Sequence, residues 1–273
     1  MKKSLAVVLA AVMTVGCVLT GCGGDTAKET KAETQAASNE ERTTLTVGFD
    51  ASFPPYGYQE NGEYVGFDLD LAQEVCNRNG WELVKTPIDW DAKDMELNSG
   101  AIDCIWNGFT INGREDAYTW TEAYVNNTQV FAVNKDSGIA SAADLAGKIV
   151  LVQADSSALA ALNDESNAEL TATFGQLIEV KDYESALLEL EVGSADAVAM
   201  DEGVAVAKQA KNDYITILED EISKEQYGIG FKLGNEELRD QIWETLLEME
   251  ADGTVDTIAD KYSMNKDNIC IGE

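Results

Sequence analysis

The chain has 273 residues, enough for two lobes of roughly 100 residues each and a leader segment. Hydrophobic residues at 45% and charged residues at 25% are the proportions of a soluble globular protein and exclude a disordered one. With 50 acidic residues against 19 basic ones the formal net charge is -31, a field that repels nucleic acid and anionic lipid, and the absence of histidine removes Ser-His-Asp and Cys-His catalysis and the usual zinc sites.

At the start of the chain, Lys2 and Lys3 precede an apolar run from Leu5 to Leu19, the layout of a secretory signal peptide and marginal as a membrane span. The run leads into Leu19-Thr20-Gly21-Cys22, which resembles a bacterial lipobox. That resemblance implies that Cys22 is lipidated and becomes the new N-terminus, with residues 1–22 as the lipoprotein leader and the protein anchored on the outer face of the cytoplasmic membrane. Residues 23–42 are Gly, Asp, Thr, Ala, Lys, Glu, Gln, Ser, Asn and Arg with no large apolar side chain, so they read as a flexible tether. The folded part is expected to begin near Thr43.

Alternating Leu45, Val47 and Phe49 predict a strand, and Pro54-Pro55 shortly after Asp50 predicts a loop, because proline cannot donate to a ladder. From Phe67 the spacing of Leu69, Ala72, Val75 and Cys76 predicts a helix capped by Gly80. Strands follow at Leu83–Thr86 and Ile102–Trp106, with a short helix between them that ends at Gly100. The second half repeats the rhythm: strands at Ile149–Val152, Leu177–Val180 and Ala197–Met200, with helices from about Ser156 and over Tyr183–Val192. Two helices, Asn235–Ala251 and Thr254–Tyr262, close the chain. The alternation implies parallel βαβ units. Of the cysteines beyond the leader, Cys76, Cys104 and Cys270 form an odd set, so at least one is expected to be unpaired.

The segment Leu97-Asn98-Ser99-Gly100-Ala101-Ile102-Asp103 has an echo in Leu190-Glu191-Val192-Gly193-Ser194-Ala195-Asp196, each a helix, a glycine cap and a strand. Ligands of open α/β sheets bind beyond the carboxyl ends of strands. Asn107, Gly108 and Thr110 after the first strand, and Asp201 after the second, therefore become site candidates.

Five blocks together resemble the polar amino acid-binding proteins of ABC importers, the extracellular solute-binding proteins of family 3. They are Val47-Gly48-Phe49-Asp50 with Phe53-Pro54-Pro55-Tyr56, Val65 to Ala72, Gly108-Phe109-Thr110-Ile111 leading to Arg114, Gly193 to Asp201, and Ala251-Asp252-Gly253-Thr254. The resemblance implies an α/β type II periplasmic-binding-protein fold, with lobe 1 over 43–133 and 228–273 and lobe 2 over 134–227. Two hinge crossings are expected near Ala132–Lys135 and Tyr227–Phe231. It also implies a monomer that delivers a polar, cationic or amide-bearing amino acid to an ABC permease and its ATPase subunits, with no cofactor and no metal.

Carried over residue by residue, Arg114 clamps the ligand α-carboxylate, with backbone donors near Gly108 and the Thr110 hydroxyl; a guanidinium fork suits a carboxylate bidentately. The loop Ile111-Asn112-Gly113 is one residue shorter than the family's usual spacing. Asp201 receives the α-ammonium, and Ser156 and Ser157 close over the carboxylate. Phe53 and Trp90 flank the ligand side chain, and Asp50 reads its distal end. Asp68 and Asp70 read as helix-start acids favoured by the macrodipole, and Trp106 as core. Two other readings compete: a cyclohexadienyl dehydratase-like enzyme on the same scaffold, and an amino acid-sensing surface module.

Overall fold

The computed structural model describes residues 42–273. The expected leader, Cys22 and nearly all of the expected tether lie outside the described residues. Strand β1 (Thr44–Phe49) buries Leu45, Val47 and Phe49, as their alternation predicts. The predicted loop after Asp50 instead holds β2 (Ser52–Phe53), which joins β3 (Gly57–Glu60) and β4 (Glu63–Val65) in a small antiparallel sheet. Helix α1 (Phe67–Asn79) turns Leu69, Ala72, Val75 and Cys76 inward and ends at Gly80, whose left-handed φ of 73° turns the chain so that the Trp81 N–H reaches the Cys76 carbonyl at 2.9 Å.

Next come β5 (Glu82–Pro87), α2 (Lys93–Ser99) and β6 (Cys104–Thr110). Every residue of β6 is buried, as expected of a strand covered on both faces. The two-residue β7 (Thr119–Trp120) leads into β8 (Val125–Asn134). The middle of the chain forms β9 (Ile149–Gln153), α3 (Ser157–Asn163), α4 (Ala168–Thr171), β10 (Gln176–Val180), α5 (Tyr183–Glu191), β11 (Ala197–Asp201) and α6 (Glu202–Gln209). The 17-residue β12 (Ile215–Phe231) returns along β8, and α7 (Glu236–Ala251) and α8 (Thr254–Lys261) finish the fold.

The main sheet runs β10-β9-β11-β8-β12-β6-β1-β5. Its two wings are parallel, β1 with β5 and β6, and β9 with β10 and β11. The centre is not: β8 and β12 run antiparallel to each other, and each is antiparallel to its other neighbour. The parallel βαβ units expected from sequence make up the wings, while β8 and β12 belong to no such unit and run antiparallel.

Along this central ribbon the outer neighbours change. Tyr227–Phe231 pairs with β6, while Gln129–Val133 pairs with β11. The exchange falls within 125–129 on one strand and 223–227 on the other, before the Ala132–Lys135 stretch expected from sequence. Ala132 is already paired with Val198. Cys76, Cys104 and Cys270 are all free and buried, and burial pushes each thiol up.

Candidate functional site

The carboxyl ends of the parallel strands in both wings carry the polar residues singled out by sequence. Asp50 follows β1. Its carboxylate accepts from the Ser52 N–H at 2.8 Å and from Gln153 Nε2, at the end of β9, at 2.7 Å. Its own N–H donates to Asn107 Oδ1 at 2.9 Å, so Asn107 fixes the end of β1. Burial raises the Asp50 carboxyl, against the lowering effect of the bonds from Ser52 and Gln153. Asp50, Ser52, Ile88, Trp90, Lys181 and Asp182 line a cavity of about 210 Å³.

Phe53 packs at 5.6 Å from the Tyr56 ring and stacks on Tyr183 of α5, with centroids 5.9 Å apart. Trp90 sits edge-on to Phe109 at 5.4 Å and lies under the Lys93 ammonium. Lys93 itself is 1% exposed; it donates to the Trp90 carbonyl and pairs with Asp155, which follows β9 in the other wing. Neither Lys93 nor Asp155 is legible from sequence, since a lysine on a short helix and an acid in a loop read as surface.

Arg114 stands on the turn after β6 and makes no ion pair with Glu115 or Asp116. Its Nη1 donates to the Thr110 carbonyl at 3.3 Å and its Nη2 to the Asp155 carbonyl at 3.1 Å, with the Phe109 ring 5.4 Å from its Cζ. Gly113 has φ 78°, the left-handed conformation that closes the short turn. Thr110 is buried beside it.

Two positions add to their sequence reading. Of the backbone donors expected near Gly108, its own N–H is engaged: it donates to Asp68 Oδ2 at 2.7 Å and to the Tyr124 hydroxyl at 3.1 Å. What Gly108 contributes is the lack of a side chain, since a Cβ there would lie 2.7 Å from Phe53 Cε1. Asp68 stands in the first turn of α1, as expected of a helix-start acid, but it is also fully buried, because α1 turns it inward with Phe67 and Leu69; it accepts from the Tyr124 hydroxyl at 2.8 Å. Burial pushes its carboxyl up to about 7, although the Tyr124 and Gly108 bonds oppose this. Asp70, by contrast, is at the surface side, bonded to Lys261 and Tyr262. Trp106 is core, as expected.

In the other wing Ser156 caps α3, its Oγ accepting from the Leu159 N–H at 3.1 Å, and Ser157 Oγ accepts from Gln129 Nε2 at 2.9 Å. Asp201 begins α6 but its carboxylate makes no cap bond. Instead Oδ1 accepts from Tyr227 at 2.5 Å, Gln129 at 2.6 Å and Asn127 at 3.0 Å, and Oδ2 accepts from Tyr183 at 2.8 Å. Burial raises Asp201, the bonds from Tyr227 and Tyr183 holding it down in part. Among the described residues no ion pair is formed by Arg114, Asp50, Asp68, Asp201 or Glu225. A guanidinium from one wing and a carboxylate from the other are thus both without a charged partner.

A mixed sheet of two parallel wings joined by a long antiparallel ribbon, with polar residues at the strand ends of both, defines a type II periplasmic-binding-protein fold. The chain belongs to the bacterial extracellular solute-binding proteins, family 3, whose profile matches residues 45–265. It is 28% identical over 267 residues to the arginine-binding extracellular protein ArtP of Bacillus subtilis, covering 96% of this chain and 98% of that one. It is also 28% identical over 230 residues to the L-cystine-binding protein TcyJ of Escherichia coli, covering 81% of this chain and 83% of the relative.

Among solved structures, an ABC uptake transporter substrate-binding protein from Streptococcus pneumoniae with bound histidine superposes with a TM-score of 0.76 at 31% identity, covering 80% of this chain and 92% of that one. An ancestral arginine-binding protein bound to arginine gives a TM-score of 0.73 at 37% identity, covering 81% and 99%. Among the described residues no helix is long and apolar enough to cross a membrane.

Proposed function

We propose that this protein is the extracytoplasmic substrate-binding component of an ABC importer, and that it captures a polar L-amino acid, favouring one with a cationic or amide side chain. The observation that carries this reading is the pair of uncompensated opposite charges: Arg114 beyond β6 and Asp201 at the end of β11, neither in an ion pair. A zwitterion supplies both missing partners at once. Its α-carboxylate would meet Arg114 with the Thr110 hydroxyl and the Ser156–Ser157 turn. Its α-ammonium would meet Asp201, and its side chain would run between Phe53 and Trp90 toward Asp50.

Because the two charges come from different wings, only a ligand bearing both groups bridges them, and its binding energy would favour the closed arrangement. Two lobes, expected from sequence at 43–133 with 228–273 and at 134–227, would move about the β8–β12 ribbon where the strands exchange neighbours, at 125–129 and 223–227. Binding without turnover, a monomeric state, a Cys22 lipid anchor and delivery to a permease and its ATPase subunits complete it. A thermal-shift screen against the common amino acids tests the assignment. At 100-fold over its dissociation constant a ligand adds about 2.7 kcal/mol, which raises the melting temperature. A protein whose melting temperature no amino acid raises is not this receptor.

A further inference from the structure

Glu225 on β12 lies beside Asp201, and sequence reading gave it no role. The two carboxylates share donors. Asn127 Nδ2 is 2.8 Å from Glu225 Oε1 and 3.0 Å from Asp201 Oδ1, and Gln129 Nε2 is 2.8 Å and 2.6 Å from the same two oxygens. Oxygens within reach of the same two nitrogens are neighbours. Both acids are almost wholly buried, Asp201 3% and Glu225 5% exposed.

Other groups around the pair are neutral or acidic: the Ser157 hydroxyl on Glu225 and the Tyr56, Tyr183 and Tyr227 hydroxyls, with Asp68 and Glu202 also acting on Tyr56. Two like charges this close, in a low dielectric and with no ion pair to a cation among the described residues, do not both ionise. A separate feature points to a ligand. Gln129 Oε1, on the amide that bridges the acids, is buried with no donor. An ammonium has three N–H bonds, and Asp201, Glu225 and Gln129 Oε1 offer three acceptors for them.

We infer that Asp201 and Glu225 form one two-carboxylate amine pocket that holds a single proton between them when empty, and that an arriving ligand ammonium displaces this proton to solvent. The inference rests on the proposed capture of an α-amine at Asp201. In the balance, the pair goes from one negative charge to two, the ammonium enters unchanged, and one proton leaves. Glu225 and Asn127 also line a polar cavity of about 410 Å³ that reaches the exposed Asn112, Lys224 and Gln226, so the proton has an exit on that side. Burial, then the Asp201 charge, pushes Glu225 up to about 7, placing the release near neutral pH.

Two measurements on the full chain test this. Calorimetry with L-arginine in buffers of different ionisation enthalpy is expected to show about half a proton released at pH 7, close to one at pH 6 and almost none at pH 8. Glu225→Gln is expected to release none at any of these. Binding of L-arginine with no buffer dependence in the wild type overturns the shared proton. The second measurement needs no ligand: the infrared carboxylic-acid band at pH 6 is expected to be weaker in Glu225→Gln than in wild type, with Asp68→Asn separating the other buried acid. Equal bands overturn the inference whether or not L-arginine binds. If the band differs and no amino acid binds, the shared proton stands as a property of the empty pocket, and the capture reading and the displacement step fall with it.

Discussion

Gln153 Nε2 donates to Asp50 Oδ2 over 2.7 Å, tying the end of β9 to the end of β1 across the two wings of the sheet. A bond from a neutral donor to a buried carboxylate contributes about 1.5–3 kcal/mol, and its loss leaves Asp50 short of a donor. Gln153→Ala is expected to loosen the approach of the wings in the ligand-free protein. Small-angle scattering should then give a larger radius of gyration than wild type; an unchanged radius would show that this bond does not hold the wings together.

The Lys93–Asp155 pair spans the same gap with one buried and one half-exposed partner. Removing Asp155 strands a buried ammonium, whereas removing Lys93 leaves a carboxylate that water reaches. In urea denaturation Asp155→Ala is expected to cost more than Lys93→Leu, by about 1–3 kcal/mol, discounted for the exposure of Asp155. The reverse order would mean that burial of Lys93 is not the controlling cost.

Gly108 has φ 53°, and a Cβ there would meet both Phe53 and the Tyr227 ring. Gly108→Ala should therefore strain the backbone and push Phe53 toward Tyr183, costing on the order of 1–3 kcal/mol. Melting temperature and amino acid affinity are expected to fall together. A loss of stability with full affinity would place the strained segment outside the binding surface.

Asp68, Glu225, Asp201 and Asp50 all have carboxyls raised by burial, so the folded state binds protons that the unfolded state has released. Their contribution is fully present below about pH 4 and is lost as pH rises, for Asp68 and Glu225 through about 7. The melting temperature is expected to decline from pH 5 to pH 8. Asp68→Asn should flatten that decline, since the amide cannot ionise. A variant with the wild-type slope would remove Asp68 as a source of the pH dependence.

Much of the fold was legible because it is written in local spacing: Leu45, Val47 and Phe49 alternate, Leu69 to Cys76 follow a helical face, and Gly80 and Gly100 mark helix ends. The strand-end positions of Asp50 and Asp201 followed from topology and from the family blocks. The failures are long-range. Asp68 occupies a helix-start position that suits an exposed acid, and only the packing of α1 on Gly108 and Tyr124 turns it inward. Glu225 lies in the polar run Ser223-Lys224-Glu225-Gln226, which reads as solvent-facing throughout; its partner Asn127 is on β8, 98 positions away. Lys93 and Asp155 meet across 62 positions for the same reason. No local pattern reports such pairings.

The zwitterion clamp is tested most directly by calorimetry with L-arginine, its decarboxylated amine and its Nα-acetyl derivative, on wild type, Arg114→Ala and Asp201→Asn. Wild type is expected to bind L-arginine and to lose about 2–5 kcal/mol with either derivative. Arg114→Ala should no longer distinguish L-arginine from the amine that lacks the carboxylate, and Asp201→Asn should lose most of its preference over the acetylated form. Wild-type protein that binds all three equally well, or an Arg114→Ala variant that keeps full selectivity for the carboxylate, would contradict a ligand held at its two charges by the two wings.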